Sequence, residues 1–141
     1  VCLRLLHNVL GVQVPAGWMY DSQLALSLSS SEPEPDGMIV KGTPRDYVSR
    51  HPKPKDVALV IEAAESSLSV DRAKAELYAR DAVPRYWLIN LVERVIDEYS
   101  QPIGRGPAAR YRSLRQFAAA ETISLTLGRK TLSFVVADVL P

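Results

Sequence analysis

The sequence predicts a mixed α/β (α+β) protein, a central mixed β-sheet flanked by helices. Three observations carry that expectation. The apolar runs Met38-Ile39-Val40, Val57-Ala58-Leu59-Val60-Ile61 and Tyr86-Trp87-Leu88-Ile89 have strand length. Residues 69–82 favour helix and sit between two of those runs. Segments rich in Gly, Pro and Ser separate the elements. At 141 residues and 47% hydrophobic composition, residues 1–141 suit a single domain around one core.

Residues 1–10 read as the end of a helix stopped by Gly11, followed by a short strand at Val12-Gln13-Val14 and a turn at Pro15-Ala16-Gly17. The chain starts at Val1 in what looks like the middle of an element, so the domain is expected to lack its N-terminal helix. Leu24, Leu26 and Leu28 alternate with Ala25, Ser27 and Ser29, the period of a half-buried strand. After Met38-Ile39-Val40, Gly42 and Pro44 break the pattern, and residues 56–64 form the clearest buried strand.

In the helix at 69–82, Asp71 lies near the start, Ala73, Leu77 and Ala82 supply apolar positions, and Lys74 stands one turn before Tyr78. Ser66-Ser67 reads as a capping or strand-exit pair. Tyr86–Ile89 and Arg94–Tyr99 read as two strands joined by a tight turn, with Tyr86 and Trp87 in the core. Residues 101–109 read as a mobile Gly- and Pro-rich loop. Arg110-Tyr111-Arg112, Thr122–Leu127 and Thr131–Val136 offer further strands.

Seventeen basic and sixteen acidic residues leave a net charge of +1, so no global basic field advertises nucleic acid, and any such partner must meet a local patch. Arg105, Arg110 and Arg112 are candidates for touching phosphate. The single cysteine, Cys2, excludes an internal disulfide framework and a cysteine-based zinc site, and fits a reducing cytoplasm. The apolar stretches are much shorter than a membrane span. His7 and His51 lack ligand spacing.

Two acids occupy unusual positions. Asp36 closes Pro33-Glu34-Pro35-Asp36, and Glu62 ends the apolar run of the clearest strand. A carboxylate there is costly to desolvate unless a cation meets it. Magnesium prefers hard oxygen donors and often takes one or two carboxylates, so Asp36 and Glu62, with the backbone carbonyl of Ala63, form a candidate site, and Lys74 is the nearest candidate to serve a nucleophile. The same residues also suit plainer roles: Pro35-Asp36-Gly37 as a turn, Glu62 as a strand end, Lys74 as a solvated helix residue paired with Asp71.

The order of segments adds specificity. Ser31–Asp36, Leu59-Val60-Ile61-Glu62, Glu65-Ser66-Ser67-Leu68 with Asp71-Arg72, Lys74 and Tyr78-Ala79, then Val83-Pro84-Arg85-Tyr86-Trp87-Leu88-Ile89, resembles the Uma-two-type family of restriction endonucleases over about residues 31–99. The resemblance implies a restriction-endonuclease-like fold of the PD-(D/E)XK superfamily and Mg²⁺-dependent hydrolysis of DNA phosphodiesters, with Mn²⁺ as a substitute. It also implies that Asp36 is the acid of the Pro-Asp motif and Glu62 the second metal-binding acid. Ala64 stands where the superfamily expects its lysine, and Lys74 looks like the substitute from the following helix.

The Asp71–Lys74 interval is one residue shorter than the family's usual, a rotation of about 100° around the helix. A further acid from an N-terminal helix is also implied and has no counterpart here. DNA is the implied partner, and a homodimer follows by analogy with nucleases that cut both strands. A catalytically inactive module that binds nucleic acid or a protein partner is the alternative.

Overall fold

In a computed structural model of the chain, which describes residues 1–22, 24–66 and 68–141, a six-stranded sheet runs in the order β1-β2-β3-β4-β5-β6. Its strands are β1 (Trp18–Asp21), β2 (Gly37–Lys41), β3 (Val57–Ala64), β4 (Arg85–Asn90), β5 (Val95–Ile103) and β6 (Arg110–Ala118). The pair β3–β4 is parallel and every other neighbouring pair is antiparallel. A parallel pair needs a crossover, and α2 (Leu68–Arg80) supplies it. The strands β7 (Thr122–Leu127) and β8 (Lys130–Val135) form a separate hairpin. The mixed sheet with flanking helices is the architecture expected.

Alternation along the central strands divides the core in two. On one face, Ile39, Leu59, Ile61, Trp87, Ile89 and Ile96 pack with α1 (Cys2–Gly11) and the β7–β8 hairpin. On the other, Met38, Val40, Val60, Ala64, Tyr86 and Leu88 pack with α2 and residues 26–28. Trp87 is fully buried; its indole N–H donates to Glu98 Oε2 at 2.8 Å, and its ring meets Phe134 of the hairpin edge-on.

Several local expectations are corrected. Val12–Val14 is not a strand, and neither are residues 24–28, although Ala25, Leu26 and Leu28 are buried. That segment bonds to other loops: the N–H groups of Leu26, Ser27 and Leu28 donate to the carbonyls of Pro33, Pro52 and Ser31. The strand at Trp18–Asp21 was not visible because all four residues are half-buried and nothing alternates. Residues 101–109 are not a continuous loop, since β5 runs on to Ile103 and a short 3₁₀ turn follows at Gly106–Ala108. Ala73 and Ala82 are exposed; the inward face of α2 is Asp71, Ala75, Tyr78 and Ala79, at i, i+4, i+7 and i+8. Ser67, expected in the helix cap, lies outside the described residues.

Candidate active site

Strand register brings the two singled-out acids together. Gly37 of β2 faces Ile61 of β3, so the residue before β2 meets the residue after Ile61. Two bonds then tie Asp36 to the end of β3: the Asp36 N–H donates to Glu62 Oε1 at 2.9 Å, and the Ala63 N–H donates to Asp36 Oδ2 at 2.9 Å. Asp36 Oδ1 has no hydrogen-bond partner among the described residues.

Strand geometry also orients the Ala63 carbonyl. The Ala64 carbonyl accepts from Leu91 N–H on the β4 side, so the peptide groups of Ala63 face the β2 side, as its bond to Asp36 confirms. Asp36 and Ala63 line an open cleft of about 460 Å³ whose walls include Cys2, Leu3, Glu65 and Leu91. A larger groove, of about 680 Å³, lies between α1 and β1 and contains none of these acids.

Glu62 shares its sheet face with Val60 and Ala64 and so points toward α2. There Lys74 Nζ makes an ion pair with Glu62 Oε2 and a second with Asp71 Oδ1 at 3.1 Å. The helix start is anchored by Tyr86, whose hydroxyl donates to the Asp71 backbone carbonyl at 2.7 Å. The shortened Asp71–Lys74 interval thus still brings Lys74 to Glu62, because i and i+3 are neighbours on a helix surface.

Glu62 is only 3% exposed, and burial raises its pKa above the ordinary carboxylate value, outweighing Lys74 and the Asp36 N–H, which pull it down. For Lys74, partial burial pulls the pKa down, but the bonds to Glu62 and Asp71 outweigh it, so it is raised. The ammonium is therefore the form present at neutral pH. Burial pushes the Cys2 thiol up to about 11, which leaves it protonated and a poor metal ligand at neutral pH.

Two features of the cluster were not read as functional in the sequence. Asp71 is a third acid of the cluster and is buried, which is visible only once the inward face of α2 is known. Tyr78 is fully buried and its hydroxyl has no partner among the described residues. An unsatisfied buried hydroxyl costs about 1–3 kcal/mol.

The remaining candidates do not join the site. Arg110 and Arg112 sit near the end of β6 that pairs with Pro102 and Ile103, whereas the β3 end carrying Glu62 aligns through β4 and β5 with residues 116–118. At about 3.3 Å per residue they lie roughly 15–20 Å along the sheet from that end. His7 packs edge-on against Tyr20, and His51 is exposed. Among the described residues no group of three or more His, Cys, Asp or Glu side chains is arranged to hold a metal. α1 contains no acid.

Comparison with known proteins decides the family. The Uma2 profile, described as a putative restriction endonuclease, matches residues 2–137. The chain belongs to the Uma2 family. Its fold is similar to the crystal structure of a protein from Anabaena variabilis described as a putative nuclease belonging to DUF820. That similarity has a TM-score of 0.62 at 14% identity and covers 98% of this chain and 75% of that one. No curated protein matches. Within this Uma2 chain, the motif order over residues 31–99 corresponds to the β2–β3–α2–β4 segment just described and the first half of β5.

Proposed function

We propose that this chain is a Mg²⁺-dependent DNA endonuclease of the PD-(D/E)XK type. Asp36 and Glu62 hold the cation with the Ala63 carbonyl, and Lys74 lies beside the attacking water. The observation that carries the reading is the pair of bonds that tie Asp36 to Glu62 and Ala63 at the end of β3, with an ammonium seated on Glu62. Family membership supports the reaction class.

The donors fit a hard cation. Three oxygens on the protein are compatible with magnesium, which commonly keeps water and phosphate oxygens in its other positions, and Mn²⁺ takes the same donors. Asp36 Oδ1 has no competing partner among the described residues, and the Ala63 carbonyl faces the same side. When bound, the dication counters charge building on the phosphodiester and lowers the pKa of a coordinated water.

The chain's own residues supply the rest. The Asp36 and Ala63 N–H groups fix the two carboxylates before any cation arrives, so little ordering is left to be done on binding. Lys74 keeps its proton because two carboxylates stabilise it. It therefore acts as a cation that orients the nucleophile and faces the phosphate, not as the base. A homodimer belongs to this proposal, since one site per chain cuts one strand at a time.

The test is nicking of supercoiled DNA by the full chain with Mg²⁺ or Mn²⁺. Wild type is expected to nick, and Asp36→Ala and Glu62→Ala are each expected to abolish nicking while remaining folded. Undiminished cleavage by both variants contradicts the assignment. Salt-sensitive DNA binding by wild type without hydrolysis supports an inactive nucleic-acid-binding module instead.

A further inference from the structure

The least explained polar group near the site is the Tyr78 hydroxyl. Its residue is fully buried, and the oxygen has no hydrogen-bond partner among the described residues. Tyr78 lies one turn after Lys74 on the inward face of α2, the face that also carries Asp71 and Ala75. Helical side chains lean toward the N-terminus and cover the preceding turn, so the ring extends toward Lys74 and Asp71. The ring is braced at 5.1 Å from that of Tyr86, whose own hydroxyl is committed to the Asp71 carbonyl. Burial raises the hydroxyl's pKa, and of the charges acting on it Glu62 is the strongest, with Asp71 and Asp36 contributing in the same direction. The group is thus a neutral donor held by packing rather than by a bond of its own.

We infer that Tyr78 is a positioning residue for the metal-loaded site: its hydroxyl donates to Glu62 Oε2 once Lys74 leaves that oxygen to face the attacking water. This rests on the metal-site reading above. In the structure Lys74 bonds Oε2 and the Tyr78 hydroxyl has no partner among the described residues. With a cation held by Asp36 and Glu62, the Glu62 charge would no longer need the ammonium, and Lys74 would be free to turn to the water. Oε2 would then need a donor, and Tyr78, one turn from Lys74 and packed with Val60 and Ala64 on the Glu62 side of the sheet, carries a buried hydroxyl with no partner among the described residues. Partners of this kind, which hold a ligand without touching the metal, typically contribute 10–100-fold to metal affinity.

The test compares wild type with Tyr78→Phe, which keeps the ring and removes only the unpartnered oxygen. Three quantities are measured on the full chain: the melting temperature without metal, Mg²⁺ affinity by calorimetry, and the ultraviolet tyrosine difference spectrum on adding Mg²⁺. Tyr78→Phe is expected to melt no lower than wild type without metal, to bind Mg²⁺ at least about tenfold more weakly, and to lose a tyrosine shift that wild type shows. Equal Mg²⁺ affinity, or a shift that survives in Tyr78→Phe, overturns the inference while leaving the metal site standing. A lower melting temperature without metal overturns it too, since the hydroxyl is then already bonded. Failure of wild type to bind Mg²⁺ or Mn²⁺ overturns the metal reading, and this inference with it.

Discussion

Glu62 is where burial, charge and proposed function conflict, and the conflict gives two predictions. Its pKa is raised by burial, so the folded state binds a proton more readily than the unfolded chain does. Stability therefore falls as pH rises from the ordinary value of 4.5 through the raised one, and is regained below that window. Thermal melts of the metal-free protein should show wild type losing stability relative to Glu62→Gln over that rise, and a constant gap contradicts the assignment. Lys74 has the opposite consequence at the other end of the scale. Its raised pKa makes its contribution fully present below the ordinary 10.5 and lost as pH rises through the raised value. Lys74→Met leaves the buried Glu62 carboxylate without its cation and should cost about 2 kcal/mol at neutral pH, read by urea unfolding. The Lys74–Glu62 contact was only conditionally legible from sequence. It depends on which way one helix faces, and a lysine on α2 looks the same in the chain whether it points to solvent or to Glu62.

At the scale of elements, the site depends on β2 starting in register with the end of β3. Gly37 opens β2 directly beneath Tyr20 of β1, where an added Cβ would lie 2.6 Å from the tyrosine hydroxyl. Gly37→Ala is expected to cost about 1–3 kcal/mol as the ring is displaced. The Tyr20 hydroxyl has no partner among the described residues, so Tyr20→Phe should be nearly neutral alone and should recover most of the loss in the double variant. Additive losses in that cycle contradict the contact. The elements themselves differ in how readable they were. β3 and β4 are continuous apolar runs because both faces of those strands are covered, and such runs announce themselves. Leu24, Leu26 and Leu28 show a strand's alternation, but the neighbouring backbone groups that could make a ladder are absent, and the N–H groups of residues 26–28 are satisfied by prolines and a serine in loops. Alternation reports which side chains are buried; it does not report what the backbone bonds to. Pro102 hides the extension of β5 for a related reason, since its register partner Tyr111 lies in a strand whose length the sequence understates.

Across the whole molecule, the sheet separates two tasks. One face carries Glu62, α2 and the Lys74 cluster, whereas the other is closed by α1 and the β7–β8 hairpin. Phe134 of that hairpin is buried against Trp87, and Phe134→Ala should cost about 3–5 kcal/mol. Hydrogen exchange should then rise first in β7 and β8 while β3 and α2 stay protected, because among the described residues the hairpin pairs with no strand of the main sheet. Equal loss of protection in β3 and α2 contradicts this division. The division also explains why the pair of acids was readable and the cleft beside them was not. Asp36 and Glu62 are announced by local anomalies, each an acid next to an apolar strand. The cleft joins residues from both ends of the chain and the middle, from Cys2 to Pro141, which no local pattern brings together.

The most direct measurement of the central claim is strand scission of supercoiled DNA by wild type and Glu62→Gln, with Mg²⁺ and with the metal chelated. Nicking that requires Mg²⁺ and is lost in a Glu62→Gln variant that melts no lower than wild type is the predicted result. Chelator-resistant nicking, or nicking by Glu62→Gln at the wild-type rate, would contradict it.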